Sequence, residues 1–432
     1  MHHVGSLTGP HNMGHRHIRF VLGAAPLFSV LLLTTVLLAQ SEHVLYSFPP
    51  GNADHPTNSI LTIDKQGNLY GTAGGSTNNG MVFELTLVRD RWTEKTIYIF
   101  ADGTDGANPQ GGMVLDGAGD LYGVTFSGGQ QGCGTVFELS PNGKSRWIES
   151  VIYSFACGTV GANPKAALII DKLGNLYGTT TAGGDESCQA GGCGTVFELS
   201  PRGGGNWEDT VLHRFAGGND GYMPFGGVVL GGSGDLYGTA ALGGKYGRGI
   251  VFRLTPGRKG EWKETVLHDF EGGNDGALPA AGLALFAGAL YGTTYSGGNP
   301  ACGVNNGCGT VFQMTQGATG QWQEKVILAF SGTDGIESFA TPVLDQAGNI
   351  YGTTFEGGSG RCTVCGTAFE LTPAQGKWTE TILHDFGATQ TDAGTPEAGV
   401  ILDPSGHLFG TSSLGGSNSN GTVYEITHKG EL

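Results

Sequence analysis

Charge is scarce in this chain. Asp, Glu, Lys and Arg make up 14% of the 432 residues, against roughly 25% in an ordinary domain. Only 22 are basic against 38 acidic, a net −16, and no Lys/Arg run follows the N-terminal segment. A surface of that sign repels phosphate backbones and anionic headgroups, which excludes nucleic-acid binding and electrostatic attachment to membranes. Helical periodicity is missing too. Beyond residue 40 no ten-residue stretch free of Gly and Pro repeats its apolar positions every 3.6 residues, so no long helix is expected. The 80 glycines show no three-residue period, which excludes collagen. Gly143-Lys144-Ser145 ends like a P-loop, but Glu138 stands where the first Gly is required.

Residues 1–39 differ from the rest. Arg16 and Arg19 precede an apolar stretch from Phe20 to Ala39, and no acidic residue occurs before Glu42. The segment reads as an export signal cleaved after Ala39, with an uncleaved anchor as the alternative and Met1 or Met13 as the start. Residues 40–432 then form one exported domain, placed in the periplasm, at the cell surface or outside the cell.

What the sequence has in abundance is one phrase. Leu69-Tyr70-Gly71 returns as Leu121-Tyr122-Gly123, Leu176-Tyr177-Gly178, Leu236-Tyr237-Gly238, Leu290-Tyr291-Gly292, Ile350-Tyr351-Gly352 and Leu408-Phe409-Gly410. The aromatics lie 52, 55, 60, 54, 60 and 58 residues apart, so one unit is copied seven times. Each unit holds four segments, A to D, rich in Val, Ile, Thr and aromatics and bounded by Gly, Pro, Asp or Asn, which is a strand signature. Tight links between A, B, C and D, with a longer traverse to the next A, suit four antiparallel strands per blade.

The ends of the repeat region agree. His43 to Phe48 matches segment D with no A, B or C before it, and Gly421 to Thr427 matches segment C with no D after it. The expected fold is an all-β, seven-bladed β-propeller whose ring is closed by the N-terminal strand joining the last blade, leaving no open edge between blades. Segment D carries all six tryptophans at one phase: Trp92, Trp147, Trp207, Trp262, Trp322 and Trp378. One per blade cannot converge on a sugar, so they are expected to pack blade on blade. The Gly after Tyr is expected where neighbouring sheets approach closely.

The loop between the Gly-Gly pair and segment C has four residues in copies one, two, four and seven, but nine, ten and seven in copies three, five and six. The long loops each hold two cysteines: Cys188/Cys193, Cys302/Cys308 and Cys362/Cys365. Cys133 and Cys157 stand at neighbouring ends of an antiparallel C–D pair. Four disulfides therefore use all eight cysteines, as an exported location permits. A four-thiolate zinc site is disfavoured because Cys362 and Cys365 have no second pair or His partner.

The B–C loops and D–A traverses share one face, and the traverses carry a recurring Asp. Asp105, Asp220, Asp275 and Asp334 are calcium candidates. Each is a lone carboxylate in an Asp-Gly type of turn, so structural turns are the favoured reading. His213, His268 and His384 lie on different blades and cannot share an ion. Arg248, Glu337 and Arg361 break the repeat on the loop face, and no nucleophile–base pair is visible.

The pattern Leu-Tyr-Gly-Thr-Thr-x-x-Gly-Gly…Gly-Thr-Val-Phe-Glu-Leu-Ser-Pro, nearly complete from Leu176 to Pro201, resembles the GloVer tandem-repeat ("choice-of-anchor") proteins, exported and bacterial. More distantly, Asp-x-x-Gly-Asn-Leu-Tyr is similar to turns in regulator-type and lactonase-like propellers. The resemblance implies surface or secreted proteins of undefined activity, often with a C-terminal sorting segment. This sequence carries no such apolar tail after its last strand. The expected role is a monomeric, non-catalytic propeller, without cofactor, that binds a protein or glycan through its loop-rich face. The alternatives are an extracellular polysaccharide hydrolase or lyase working in the central channel and a structural cell-envelope protein.

Overall fold

A computed structural model of the chain describes residues 41–427 apart from 51–53, 76–78, 102, 144–145, 186, 189–190, 303–306, 360–364 and 390. The segment read as an export signal, Arg361 and Cys362 lie outside the described residues. Seven antiparallel sheets follow one another around a ring. In the fourth blade strand A is Val229–Leu230, B is Leu236–Ala240, C is Ile250–Pro256 and D is Trp262–Asp269. Among the described residues there are short 3-10 turns and no α-helix.

The last blade is composite. Ser41–Ser47 pairs antiparallel with Thr422–Thr427, with Ser41 opposite Thr427 and Ser47 opposite Thr422. Strands Leu408–Ser412 and Ile401–Leu402 complete that sheet. The N-terminal strand is thus the outer strand of blade seven.

Three side-chain rings join the blades. The Phe that ends each strand D meets the aromatic of strand C in the next blade, edge to face in Phe155–Phe197 at 5.2 Å and Phe215–Phe252 at 5.2 Å and tilted in Phe386–Tyr424 at 4.9 Å. The motif aromatic meets the next blade's Trp: Tyr70–Trp147 at 5.9 Å, Tyr122–Trp207 at 5.9 Å, and Phe409–Trp92 at 6.2 Å across the closure. The tryptophans are scaffold, and edge-to-face contacts of this kind add about 0.5–1.5 kcal/mol beyond area burial. Finally, a buried Thr of strand B donates to a carbonyl just before strand A of the next blade. Thr179 Oγ1 donates to Gly226 O at 3.0 Å, Thr239 to Ala281 O at 2.7 Å, Thr353 to Ala398 O at 2.8 Å, and Thr411 to Ser59 O at 2.7 Å. Val124 takes the Thr position in blade two.

The motif glycine has a different reason from the expected approach of neighbouring sheets. A Cβ on Gly238 would lie 2.6 Å from Cζ of Phe252, and one on Gly123 2.5 Å from Cζ of Phe137. Those partners sit directly opposite on strand C of the same blade. The glycine makes room for its own blade's aromatic, whose far edge takes the next contact around the ring.

Candidate functional site

Alternation along each chain entering strand A aims every second residue at the propeller axis. In blade three Pro164, Ala166 and Leu168 are buried in the packing, while Lys165, Ala167 and Ile169 are half-buried along the channel. The same offset in all blades gives three tiers. The uppermost, four residues before each strand A, is Asn58, Gln110, Lys165, Phe225, Ala280, Phe339 and Glu397. Beneath it lie Ile60, Gly112, Ala167, Gly227, Gly282, Thr341 and Gly399, and then Thr62, Val114, Ile169, Val229, Ala284, Val343 and Ile401.

The middle tier is small because backbones crowd there. A Cβ on Gly227 would lie 2.8 Å from Ala167 O, and one on Gly399 2.6 Å from Thr341 O. A cavity of about 190 Å³ remains at this level. Above it opens a cavity of about 320 Å³ lined by Asn58, Lys165, Phe225, Tyr295, Phe339 and Glu397 among others. The two share Asn58, Phe225, Ala280 and Phe339 and so are continuous.

This mouth has two unlike halves. Blades four to six contribute Phe225, Tyr295, Phe339 and Phe355, with Tyr295 and Phe339 centroids 4.9 Å apart and Phe339 and Phe355 at 5.7 Å. Blades seven, one and three contribute Glu397, Asn58 and Lys165, and Gln110 of blade two lines an adjoining cavity with Lys165 and Phe225. The buried Gln110 Oε1 has no partner. The Lys165 ammonium stands 5.1 Å over the Phe225 ring, and burial lowers its pKa against the opposing pull of Glu397. Among the described residues no carboxylate lies within ion-pair distance of Lys165. Burial, together with a hydrogen bond to Glu337, pushes the Tyr295 phenol up to about 12, so it stays protonated at neutral pH.

The residues singled out in the sequence scatter around this mouth. Glu337 is buried (6% exposed) at a left-handed φ of 60°. Its N–H donates to Cys308 O at 2.9 Å, its carbonyl accepts from Phe355 N at 3.0 Å, and its carboxyl braces Tyr295. Glu337 thus supports the wall. Arg248 holds the place that cysteine takes in other blades, two residues before strand C. It covers Gly272 as the Cys188 and Cys193 sulfurs cover Gly217, so it substitutes for a disulfide.

Cys133–Cys157, Cys188–Cys193 and Cys302–Cys308 are bonded. Cys365 is also bonded, its expected partner lying outside the described residues. Cys133, Cys193, Cys308 and Cys365 share one position, and the carbonyl of each accepts an N–H from the next blade: Asn163, Met223, Glu337 and Thr395 respectively.

The traverse aspartates sit far from the axis and are occupied by local donors. Asp105 accepts Ala101 N at 2.8 Å and the Tyr98 hydroxyl at 3.0 Å. Asp220 accepts Ala216 N, and Asp334 accepts Ser331 N, both at 2.6 Å. The three histidines do not meet, but each contacts its own traverse: His213–Asp220 at 3.2 Å, His268–Asp275 at 3.1 Å and His384–Asp392 at 3.1 Å. A Glu of the next outer strand completes the group. His268, Asp275 and Glu324, and likewise His384, Asp392 and Glu42, bring ligand atoms within 4.8 Å of one another, a set that could hold a divalent cation. Burial, then the neighbouring Asp, pushes Glu264 and Glu324 up to about 7.

The mouth residues had no motif to announce them. Their only signal was variation: six residue types at one phase of an otherwise monotonous repeat.

The fold and mouth define a propeller scaffold with one individualised axial cup. The chain belongs to the Gloeobacter/Verrucomicrobia repeat family, whose pattern matches residues 34–191, 186–316 and 301–432. No curated protein matches the chain. Similar solved structures include one described as a putative oxidoreductase (glucose dehydrogenase) from Thermus thermophilus, at 15% identity and a TM-score of 0.45, covering 90% of this chain and 100% of that one. Another, described as a putative 6-phosphogluconolactonase from Bacteroides fragilis, has 13% identity and a TM-score of 0.48, covering 80% of this chain and 87% of that one.

Proposed function

We propose that this protein is an exported, non-catalytic propeller that binds a glycan through its loop-rich face, with the channel mouth as the binding cup. The observation that carries the reading is the division of the mouth into an aromatic half and a polar half. Sugars present an apolar ring face edged by hydroxyls, which suits Phe225 and Phe339 on one side and Asn58 and Glu397 on the other. A volume of about 320 Å³ is at the small end of the roughly 300–1,000 Å³ of ligand pockets. The disulfides suit an oxidising compartment. A glycan panel screened against residues 40–432 tests the reading. Binding should fall about tenfold or more in Phe339→Ala and be unchanged in Trp207→Phe. Absence of any glycan ligand would leave the protein with the structural envelope role.

The extracellular hydrolase or lyase alternative is favoured by one feature, the lowered pKa of Lys165, which moves it toward a general base. Turnover of a polysaccharide that disappears in Lys165→Met would replace the binding reading.

A further inference from the structure

We propose that the mouth selects a sugar acid: the end of a glycan whose terminal ring stacks on Phe225 and Phe339 and whose carboxylate is taken by Lys165. The inference rests on the glycan-binding reading and adds the chemical class of the ligand.

Among the described residues, Lys165 is the only cationic side chain lining either axial cavity. Its ammonium is held over an aromatic face at 5.1 Å, and no described carboxylate comes within ion-pair distance of it. A half-buried ammonium supported only by a ring has lost hydration that a ring replaces incompletely, so an anion delivered there recovers a charge-assisted hydrogen bond. Long-range attraction is not what brings the acid in, because the chain carries a net −16. The cation acts locally and specifies. Glu397, on blade seven, gives direction. It disfavours a carboxylate on its own side and accepts hydroxyl protons, so the acid group is oriented toward blade three.

The tier below sets how far the ligand goes. Ala167, Gly227, Gly282 and Gly399 leave only about 190 Å³, and the backbones behind them are in close contact. A chain end can dip into that space; a continuous strand of polymer cannot be threaded past Ile169 and Val229, which line its lower part. Recognition is therefore end-on.

Calorimetry with a uronate trisaccharide and its carboxyl-reduced, neutral counterpart tests this on residues 40–432. The acidic trisaccharide should bind at least about tenfold more tightly, the usual worth of a hydrogen bond to a charged group. Lys165→Met should abolish that preference and Lys165→Arg should retain it. Glu397→Gln should tighten the acidic ligand several-fold, an outcome that misfolding cannot imitate. Equal binding of the two trisaccharides, unchanged in Lys165→Met, overturns the sugar-acid inference and leaves glycan binding standing. Binding of neither, and of no other glycan, overturns both. Preference for a peptide carboxyl terminus over the uronate overturns the ligand class while keeping Lys165 as the anion site.

Discussion

Phe48, just past the N-terminal strand, stands edge-on to Phe83 with centroids 5.3 Å apart and planes at 71°. Both are fully buried. The same pair recurs between other blades, as in Phe100–Phe137 at 5.2 Å and Phe330–Phe369 at 5.3 Å. Here it joins strand Ser41–Ser47, the outer strand of blade seven, to blade one and so completes the ring.

Phe48→Ala should cost about 3–5 kcal/mol, as for other fully buried Phe truncations. Phe155→Ala removes an equivalent contact at an internal junction. The two should differ in where exchange rises: hydrogen exchange should increase over residues 41–47 in the first variant only, because that outer strand pairs only with Thr422–Thr427 and depends on this contact.

The threonine ring is broken at one place, Val124. Val124→Thr should supply the missing donor to Ala166 O and raise stability by about 0.5–1.5 kcal/mol. Thr239→Val, which removes the 2.7 Å bond to Ala281 O, should lower it by a similar amount or more. Denaturant midpoints measured at constant m decide both.

Alkaline conditions should weaken the fold. Burial first, then Asp220, Asp275 and Asp334, push Glu264, Glu324 and Glu380 up to about 7. The folded state therefore keeps protons that the unfolded state releases from the ordinary carboxylate value of 4.5. Stability falls as pH rises from there through about 7, and Glu42, pushed up to about 9 by burial and then by Asp392, carries the decline further. His268, whose burial is outweighed by its bond to Asp275, is raised and acts in the same direction. Asp275 is lowered against its own burial by His268, and its effect lies below this window. Melting temperatures from pH 5 to 8 should decline, and Glu324→Gln should flatten the decline and gain about 1–3 °C at pH 8.

Two glycine substitutions should have opposite signs. Gly238→Ala places a methyl 2.6 Å from the Phe252 ring and should cost about 1–3 kcal/mol by overpacking. Gly232→Ala, in an A–B turn with nothing within 4 Å of the new carbon, should gain about 0.4–1 kcal/mol by restricting the unfolded chain. Thermal unfolding of the two variants side by side checks the contrast.

The scaffold was legible because its chemistry repeats in phase with the chain. The Tyr70 and Trp147 phases predicted a blade contact, and the split ends around Phe48 and Thr422 predicted closure. The glycine of the motif was legible as a tight spot but not as the seat of its own blade's Phe, because periodicity does not say which neighbour fills a gap. The cup was not legible at all. Lys165, Phe225 and Glu397 are separated by 60 and 172 residues and share no motif; only ring closure turns such scattered side chains into one surface. Arg248 and Glu337 drew attention by breaking the pattern, yet one replaces a disulfide and the other braces Tyr295.

Ser41 lies opposite Thr427, their hydroxyls 3.2 Å apart, within a sheet built like the other six. The gap between Thr427 and Ser41 therefore takes the place of a C–D turn, and which blade carries it is arbitrary to the packing. A permuted chain opened at Gly203-Gly204-Gly205, with residues 41 and 427 joined by a short turn, contains every blade junction of the original. It should assemble the same ring, with the cup intact at its axis.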